Sequence, residues 1–562
     1  MRGGVVEARR AGAWSTDDTS IELEAVDGGY RVELLGTGPA EGLALTFPTV
    51  DADTMHQQGY QSWGFSGTVI VPVVVERDDD GKPAMEVAKT GDPIHEERGV
   101  SMHATILRRN PDGAAIVIGA LRAEVATTGI SAVRGDDGTE LTILYGPQRE
   151  QLPDQDGTVR SEVFYVGAAA TPDQALAQLG EQLAAEHANS RAPLLPTGGW
   201  YSWNERFVDI DEQYITDHVD VVAAAMAPKG MTLVELDDGW ERAWGDWQAN
   251  AQFPSGMSAM ATTITDSELV AGIWLAPFLV DMNSDAAASD AALFVQSPDG
   301  GPLVHRLSGN NRAFYVLDGT NPDSMAIVVD ELETLAAAGY TFFKLDFLYA
   351  GALSGGRSMD VTGVQALRAG MDKIRAAVGQ TSVINACGAP TLQMVGVADS
   401  LRIGPDTAFE GFDLSWGLVA GAARNVAARR YLFPTIYLDA DQVQLRPPYT
   451  AVEARAGAVI AALAGPAYAL GDDLTVLDSE LLNVALDDTI LDIAAAQQPA
   501  IAVGLMDMMP ADEIAASPVI ETLRFPSGMV VTPPEAFTIT GGSGTNYTIT
   551  VDWEGAHSVT VE

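Results

Sequence analysis

The sequence predicts a protein of three domains, with a central (β/α)8 TIM barrel between an N-terminal antiparallel β-sandwich and a small C-terminal antiparallel β-domain. At 562 residues the chain is too long for one ordinary core, which favours two or three domains. Short apolar runs alternate with amphipathic helical segments in its middle part, and strand-like patterns with turn residues lie on both sides. The predicted bounds are 1–175, 176–496 and 497–562.

The first domain is predicted from alternating or short apolar runs separated by turn signals. The runs include YRVELLG, TVIVPVVVE, AAIVIGAL, LTILYG and SEVFYVGA, and the turns are Asp27-Gly28-Gly29, Asn110-Pro111-Asp112-Gly113 and Gly135-Asp136-Asp137-Gly138. Turns of this composition join neighbouring strands, so hairpins are expected. One segment is different. HQQGYQSWGFSG at 56–67 is aromatic and rich in glycine, and we expect a loop there.

The period of the pattern changes near Thr171, where TPDQALAQLGEQLAAEHA has helical spacing behind a capping threonine. Eight strand-type runs then follow in the order GGWYSWN, TLVELDDGW, VAGIWLAPF, YTFFKLDF, SVINACG, SLRIGPDT, TIYLDADQ and PAYALGDD, with amphipathic helical segments between them. After the eighth run, ELLNVALDDTILDIAAA has a helical pattern. Eight such units predict a TIM barrel. A doubly wound open sheet is the alternative, but it calls for a phosphate-binding glycine turn that GGWYSWN lacks.

Short strand patterns return after residue 497, in FPSGMVVTPP, AFTITGGSGTNYTITVDW and HSVTVE. They alternate with Gly, Pro and Asn turn residues, and this part of the sequence has no long helical period. A small C-terminal β-domain is therefore expected.

The charge of the chain excludes two classes of partner. Lys and Arg total 32 against 77 Asp and Glu, a formal charge of -45, so long-range electrostatics repel nucleic acid and anionic membranes. The one cysteine, Cys387, excludes a disulfide framework and a thiolate-based structural metal site. The sequence has no signal-type h-region and no run of about 18 apolar residues. We expect a soluble cytoplasmic protein without nucleic-acid or membrane partners.

Function in a barrel gathers at the carboxyl ends of the strands. In this sequence those ends carry Trp203, Asn204, Asp237, Asp238, Trp240, Trp274, Lys344, Asp346, Cys387, Arg402, Asp406, Asp439, Asp472 and Asp473. Acidic residues make up about one in seven of the chain, so some strand ends would carry one by chance. Charge enrichment alone therefore does not identify a site.

The spacing of Lys344 and Asp346 is more specific. Residues two apart in a strand point to the same face, so the lysine is expected beside the aspartate, where it would keep the carboxylate ionised as a nucleophile requires. A buried structural ion pair is the alternative. Asp346 and Asp406, after different strands, would together supply the ionised group and the protonated acid that glycoside hydrolysis needs.

Six of the ten tryptophans lie in or near the expected mouth loops. They are Trp63, Trp203, Trp240, Trp244, Trp247 and Trp274. Tryptophan stacks on the apolar face of a sugar, although for each one singly core packing is the alternative. A metal centre is less favoured because no histidine falls at a strand end and no HExxH spacing occurs. An acidic Mg²⁺ site from Asp237, Asp346 and Asp439 stays open, with Lys344 arguing against it.

Seven motifs, in this order and spacing, resemble glycoside hydrolase family 36, the α-galactosidases, which share a clan with family 27. They are LDDGW at 236–240, GDW at 245–247, FPSGM at 253–257, GIWLAPF at 272–278, NNRAFYVLDGTNPD at 310–323, FFKLDF at 342–347 and NACG at 385–388. The resemblance covers nearly the whole chain. It implies an N-terminal β-supersandwich, a (β/α)8 barrel and a small C-terminal β-domain.

The resemblance also implies roles for individual residues. Asp346 would be the nucleophile and Asp406, in RIGPDT, the acid/base of a retaining exo-α-galactosidase that forms a covalent galactosyl-enzyme and needs no cofactor. The implied substrate contacts are Asp237 and Asp238 at the galactose 4- and 6-hydroxyls, Lys344 at the 3- and 4-hydroxyls, Arg312 near the ring hydroxyls, Trp274 against the sugar, Cys387, Gly388 and Arg402 at the 2-position, and Trp63 in the GYQSWG loop above the mouth. Trp203, at the end of the first strand, is added as a binding residue.

The sequence departs from the family pattern at several positions. Ala276 stands where many members have an acidic residue before the proline. Phe347-Leu348 stands where they have an asparagine soon after the nucleophile. The glycine-rich run after the cysteine is shortened to Cys387-Gly388-Ala389-Pro390. An α-N-acetylgalactosaminidase or another retaining α-glycosidase of the clan is therefore the alternative. A carbohydrate-binding module and a metal-dependent barrel enzyme are competing classes. An oligosaccharide is the expected partner, and a homo-oligomer stays open.

Overall fold

A computed structural model gives the architecture of the chain. It describes residues 4–75, 77, 81–83, 99–108, 114–148, 150–307, 312–408, 414 and 416–495, together with the strands at 501–503, 537–540, 546–551 and 556–561.

The N-terminal part contains two antiparallel sheets. The first has neighbouring strands in the order Ala13–Ser15, Val5–Arg10, Gly42–Val50, Gly138–Tyr145, Thr128–Gly135 and Val100–Met102. The second runs Asp154–Gln155, Thr158–Arg160, Gly29–Thr37, Phe164–Ala169, Ala115–Ala120, Ala104–Arg108, Thr54–Gln58 and Ser66–Ile70, and Thr19–Val26 also pairs with Gly29–Thr37. Side chains from both sheets share one buried cluster, for example Leu43 and Ile143 from the first with Leu34 and Ile118 from the second. Apolar burial therefore holds the two sheets together.

Two of the three predicted turns are confirmed. The Asp27-Gly28 turn joins Thr19–Val26 to Gly29–Thr37, with Gly28 at φ +73, and Asp136-Asp137 joins Thr128–Gly135 to Gly138–Tyr145. A positive φ at Gly28 is what such a tight turn requires. The Asn110-Pro111-Asp112-Gly113 turn lies outside the described residues.

The expected loop at 56–67 is shorter than predicted. His56, Gln57 and Gln58 belong to the strand Thr54–Gln58, and Ser66 begins the strand Ser66–Ile70, so the segment is a hairpin with its loop at 59–65. The polar side chains look like loop residues in the sequence, but they are buried. Gln58 Nε2 donates to the Ala428 carbonyl at 3.0 Å, and Ser66 Oγ donates to Gln58 Oε1 at 2.5 Å, which makes that burial acceptable.

The middle of the chain forms a curled sheet of eight strands, and every neighbouring pair is parallel. In chain order the strands are Gly199–Tyr201, Leu233–Leu236, Val270–Leu275, Tyr340–Leu345, Val383–Ala386, Ser400–Arg402, Tyr437–Asp439 and Ala469–Leu470, here called the first to the eighth strand. All eight predicted strands are present. Neighbours follow chain order, and the eighth lies beside the first, without the reversal of a doubly wound sheet.

Backbone hydrogen bonds link the two ends of this sheet. Val443, just after the seventh strand, donates to Ala469 O at 2.8 Å, and Gly471 donates back to Val443 O at 3.0 Å. Inside the curl, Tyr201, Leu233, Phe342 and Ala469 form a small apolar cluster. Side chains alternate between the two faces of each strand. A residue two positions after a member of this cluster therefore also points into the curl, nearer the carboxyl end of its strand.

Most helices after residue 210 pack around the outside of the curled sheet, whereas Pro172–Glu186 packs against the strands Ala115–Ala120 and Phe164–Ala169 of the N-terminal part. The helices described are Pro172–Glu186, Trp203–Arg206, Glu212–Val221, Met257–Asp266, Pro322–Ala338, Gly363–Val378, Trp416–Arg429, Ala451–Ala464, Ser479–Ala485 and Asp488–Ala495. Thr171 caps the first one, as predicted, and its side chain accepts from Gln174 N at 3.2 Å. The predicted helical pattern ELLNVALDDTILDIAAA forms two helices, Ser479–Ala485 and Asp488–Ala495. Asp487 interrupts it by accepting from Thr489 N at 3.0 Å.

Two small antiparallel sheets lie in the loops that follow the second and third strands. Glu241–Ala243 pairs with Asp246–Ala249, and Ala313–Val316 pairs with both Leu279–Asp281 and Val304–Arg306. These hairpins carry Trp244, Trp247 and Arg312 toward the carboxyl ends of the strands.

The C-terminal part described contains a four-stranded antiparallel sheet. Its strands are Ile501–Val503, Phe537–Thr540, Asn546–Val551 and Ala556–Val561. The last three coincide with the predicted runs AFTITGGSGTNYTITVDW and HSVTVE, whereas FPSGMVVTPP lies outside the described residues. Within the described ranges, no helix combines the length and apolar character needed to cross a membrane.

Candidate active site

The mouth of the curled sheet, meaning the carboxyl ends of its eight strands and the loops that follow, collects the predicted polar residues. On one side, Lys344 of the fourth strand forms an ion pair with Asp237, the residue after the second strand, with Nζ and Oδ2 2.5 Å apart and both side chains 3% exposed. Burial acts to lower the pKa of Lys344, but its acidic surroundings, above all the carboxylate of Asp237, outweigh burial and hold that pKa well above its ordinary value.

This pairing corrects one prediction. Lys344 was expected to be the partner of Asp346, two residues along the chain, but its ammonium contacts Asp237 across the curled sheet. A lysine side chain spans several ångströms, so sequence spacing fixes the face it lies on but not the carboxylate it reaches. The charge of Lys344 still acts on Asp346 at longer range.

Asp346 is held by neutral donors. Trp274 Nε1 donates to Oδ2 at 3.3 Å, and the backbone N–H of Phe347 donates to Oδ1 at 2.7 Å. Burial raises the pKa of Asp346. The positive charge of Lys344 and the N–H of Phe347 act against that rise, and the negative charge of Asp406 adds to it. Asp346 and Asp406 are therefore close enough to interact electrostatically.

Gly388 makes room for Asp346. It adopts φ +49, and a Cβ there would lie 2.9 Å from the backbone nitrogen of Phe347 and 3.0 Å from Asp346 Oδ1. Any side chain at 388 would therefore displace the carboxylate. Cys387, the preceding residue, is fully buried, and burial raises the pKa of its thiol well above the ordinary value. Both residues lie beside Asp346.

The opposite side of the mouth is organised by Arg402. Its Nη2 donates to Asp406 Oδ1 at 2.9 Å, and its Nη1 lies 2.8 Å from Asp441 Oδ1. Arg402 is 1% exposed, whereas the side chain of Asp406 is 29% exposed. Burial raises the pKa of Asp441 to about 6, with Arg402 acting against that rise. The Thr407 backbone N–H also donates to Asp441, at 2.6 Å.

The predicted binding residues Asp238 and Arg312 both contact Trp244. Trp244 Nε1 donates to Asp238 Oδ1 at 3.0 Å, and the Arg312 guanidinium lies over the Trp244 ring at 4.4 Å. Arg312 also donates to Asp281 Oδ2 at 3.2 Å. Burial, together with the charge of Glu241, raises the pKa of Asp238 well above its ordinary value. The two predicted residues therefore share one aromatic support.

The other five predicted tryptophans divide into two groups. Trp240, Trp247 and Trp274 are at most 2% exposed, and Trp240 Nε1 donates to the Trp274 carbonyl at 2.9 Å, so core packing explains the first two. Trp63 is partly exposed and its ring centre lies 5.1 Å from that of Phe347, next to Asp346 in the chain. Trp203 is also partly exposed and packs edge-on against Phe207 at 5.2 Å.

The loop at 59–65 brings Trp63 from the N-terminal sheets to this mouth. Ser62 N donates to the Ala389 carbonyl at 2.9 Å, and Ala389 N donates back to Ser62 Oγ at 3.0 Å. Arg429, which is fully buried, donates to the carbonyls of Gln61 at 3.1 Å and Gly64 at 2.8 Å. The loop is thus fixed beside Cys387-Gly388, at the mouth over which the resemblance placed it.

The acidic metal set considered from the sequence does not form. Asp237 is bound to Lys344, and Asp439 accepts from Asn385 Nδ2 at 2.7 Å. Over the part of the chain that the structure describes, no three His, Cys, Asp or Glu side chains are grouped to hold a metal ion.

Two buried acids in this region were missed in the sequence. Asp441 follows Asp439 by two residues in YLDAD, a spacing that could have indicated a second inward carboxylate. Glu235 lies inside the second strand, where VEL reads like an ordinary half-exposed strand, and no sequence signal distinguishes it.

Buried carboxylates, a lysine and an arginine meet indole rings at the carboxyl ends of a curled parallel sheet. This arrangement is typical of one class of protein, the barrel enzymes that act on carbohydrates. Comparison with known proteins agrees. Residues 185–350 match the family model Melibiase. The alpha-galactosidase AgaA of Geobacillus stearothermophilus is 29% identical over 157 residues, which are 26% of this chain and 20% of that protein.

The chain therefore matches only about a fifth of the length of that curated relative. Solved structures extend the likeness. An alpha-galactosidase of Thermus thermophilus in complex with stachyose is 25% identical with a TM-score of 0.65, covering 86% of this chain and 98% of that one. The crystal structure of AgaA, at 14% identity and a TM-score of 0.64, covers 98% and 81% and shows a shared fold.

The resemblance found in the sequence is confirmed. Residues 185–350 are similar to the melibiase family, and the homologues and structural neighbours of the chain are α-galactosidases, which are glycoside hydrolases.

Proposed function

We propose that this protein is a retaining exo-α-galactosidase that releases terminal α-D-galactose from oligosaccharides. The observation that carries the proposal is the pair of carboxylates at the ends of the fourth and sixth strands. Asp346 is buried and held by two N–H donors, while Asp406 is partly exposed and bound to Arg402. The Thermus thermophilus relative, named as a complex with stachyose, supports an oligosaccharide substrate.

The proposal includes the domain layout. The curled sheet would be a closed (β/α)8 barrel within residues 176–496, with a β-supersandwich at 1–175 and a β-domain at 497–562. The hydrogen bonds of Val443 that link the sheet ends and the face-to-face N-terminal sheets support this layout.

The reaction would proceed in two displacements. A carboxylate oxygen of Asp346 attacks the anomeric carbon, the bond to the leaving oxygen breaks, and Asp406 donates its proton to that oxygen. Asp406 then takes a proton from water, whose oxygen attacks the anomeric carbon and releases Asp346. The product keeps the α configuration because configuration is inverted twice. This mechanism requires the two carboxyl groups about 5–5.5 Å apart, rather than the wider gap of an inverting enzyme.

The ion pair Asp237–Lys344 and the carboxyl of Asp238 would bind galactose hydroxyls, and the indole of Trp274 would pack against the ring. Both members of the pair are fixed by burial, so they present polar atoms in one geometry. Cys387, Gly388 and Arg402 would lie at the 2-position. Arg312 would act from the side of Trp244, and Trp63 and Trp203 would contact the outer part of the substrate.

The test is hydrolysis of p-nitrophenyl α-D-galactoside with and without a chelator, compared with the matching N-acetylgalactosaminide. The expected result is chelator-resistant hydrolysis of the galactoside, with α-galactose as the first product seen by NMR. Loss of activity with chelator would favour a metal-dependent enzyme, and preference for the N-acetylated sugar would favour the alternative specificity. Binding without turnover would indicate a carbohydrate-binding module. The cytoplasmic location and a homo-oligomer stay predictions.

A further inference from the structure

Glu235 is a buried acid for which neither the motifs nor the proposed reaction provides a role. It lies in the second strand, two residues before Asp237, with a side chain that is 0% exposed. Neither of its carboxyl oxygens accepts a hydrogen bond from a donor among the described residues, and its side chain lies within hydrogen-bonding reach of Asp237. A carboxyl group in such a place is costly unless a partner or a proton compensates for the loss of water.

A glycine on the neighbouring strand leaves space for this side chain. Gly272 of the third strand is the parallel neighbour of Glu235, and a Cβ at 272 would lie 3.1 Å from both Cβ and Cγ of the glutamate. On the other side, Tyr201 of the first strand is the neighbour of Glu235, and its buried hydroxyl has no hydrogen-bond partner among the described residues. The acid therefore fills a space between a glycine and a tyrosine.

The charges around Glu235 leave no cation for it. The groups that act on it are Asp237 of the same strand end, Lys344 of the fourth strand and Asp439 of the seventh. Lys344 already pairs with Asp237 at 2.5 Å, and Asp439 accepts from Asn385. An ionised Glu235 would be a further anion beside Asp237, sharing one lysine. Repulsion between neighbouring carboxylates in a buried place favours the neutral form of Glu235.

We propose that Glu235 is a neutral carboxylic acid that donates its proton to Asp237 and so positions the Asp237–Lys344 pair for the sugar hydroxyls. The part of this inference that concerns sugar binding rests on the proposed function. Asp237 has acceptor capacity for such a bond, since a carboxylate accepts several hydrogen bonds and its recorded donors are Lys344 and the N–H of Asp238. Burial first, and then the charge of Asp237, raise the pKa of Glu235 well above its ordinary value.

Two substitutions separate a donor from a space filler. Glu235→Gln keeps the shape and an N–H donor, and it should keep kcat/KM within about threefold of the unchanged protein. Glu235→Met keeps the volume but has no donor, and it should lower kcat/KM about tenfold to a hundredfold, mainly through KM. Because the neutral form is the active one, the unchanged protein should lose affinity as pH rises above the pKa of Glu235. Glu235→Gln should lack that alkaline limb.

Infrared difference spectroscopy at pH 7 tests the proton directly and does not depend on activity or on the methionine variant folding. The unchanged protein minus Glu235→Gln should show the carbonyl stretch of an un-ionised carboxylic acid. Glu331→Gln is the matched control. Burial raises the pKa of Glu331 only to about 6, so it is largely ionised at pH 7 and its difference spectrum should show a carboxylate band instead.

The outcomes are distinct. A carboxylate band in the Glu235 difference spectrum would overturn the inference even if the protein cleaves galactosides. Equal kcat/KM for the glutamine and methionine variants, with the acid band present, would overturn the positioning role. If no α-galactoside is cleaved, the proposed function fails, and the sugar-binding part of the inference fails with it. The infrared result then still decides the protonation of Glu235.

Discussion

The two sides of the mouth solve the problem of buried charge differently. On the side of the second to fourth strands, Lys344 serves Asp237, and Asp346 is left with the N–H groups of Trp274 and Phe347. On the side of the sixth and seventh strands, one arginine, Arg402, bridges Asp406 and Asp441. The proposed nucleophile therefore has neutral donors as its direct partners, whereas the proposed acid has a direct cation.

This difference bears on how each carboxylate would work. N–H donors stabilise a carboxylate without neutralising it, so Asp346 keeps its electron pair available for attack. Arg402 holds the carboxyl of Asp406 through a direct hydrogen bond. In the proposed reaction that carboxyl gives a proton to the leaving oxygen in the first displacement and takes one from water in the second.

The largest expected effect tests the side of the second to fourth strands. Asp346→Ala removes the group that forms the covalent bond, so kcat should fall about 10⁴-fold or more on every substrate. Added azide should restore turnover and give the β-galactosyl azide, because a single displacement inverts configuration. The measurement is product analysis by NMR with p-nitrophenyl α-D-galactoside. An α-azide from this variant would contradict the assignment of the nucleophile.

A substitution on the side of the sixth and seventh strands should have a different effect on activity. Asp406→Ala should lower kcat/KM about 10²- to 10⁴-fold for unactivated galactosides, and much less for the p-nitrophenyl substrate, whose leaving group needs little protonation. Azide should now give the α-galactosyl azide by attacking the galactosyl-enzyme. The comparison of the two substrates is the measurement. Equal losses on both would show that Asp406 is not the acid that protonates the leaving group.

The sequence predicted the elements better than the partners. Each strand of the curled sheet is a short apolar run between helical patterns, and this local signal was enough to find all eight. The partner of Lys344 depends on which side chains meet across the curl, and Asp237 is 107 residues away in the chain. A local pattern has no information about that contact.

The same limit explains the acids that were missed. Glu235 and Asp441 lie on strands or strand ends where a carboxylate would look exposed in a sequence, and only the curl of the sheet buries them. The motif residues were found because seven short motifs combine in a fixed order. Asp237, Asp238, Lys344, Asp346, Cys387 and Gly388 do meet at one mouth, while Trp203 lies against Phe207.

The contribution of the Asp237–Lys344 ion pair to stability can be measured. Lys344→Met leaves the carboxylate of Asp237 buried without its cation, and the free energy of unfolding should fall by about 3 to 5 kcal/mol. Lys229→Met is the matched control. Its partner Asp488 is 82% exposed, so the cost should stay within about 0.5 kcal/mol. Urea denaturation measures both, and similar losses for the two variants would mean that burial does not strengthen the dependence of Asp237 on Lys344.

The smallest expected effect isolates burial. On both sides of the mouth, burial and a charged or hydrogen-bonded partner act on the same carboxyl group, so their effects are mixed there. Glu331, on the helix Pro322–Ala338, has its pKa raised to about 6, and burial alone causes the rise. The folded state then binds a proton more tightly than the unfolded chain. The stability contributed by that proton is complete below pH 4.5 and is lost as pH rises through about 6. Glu331→Gln abolishes this loss. The difference in Tm between Glu331→Gln and the unchanged protein should be about 1 to 2 °C more positive at pH 7 than at pH 4. Calorimetry at the two pH values measures the change, and an unchanged difference would mean that the half-buried position of Glu331 is screened by water.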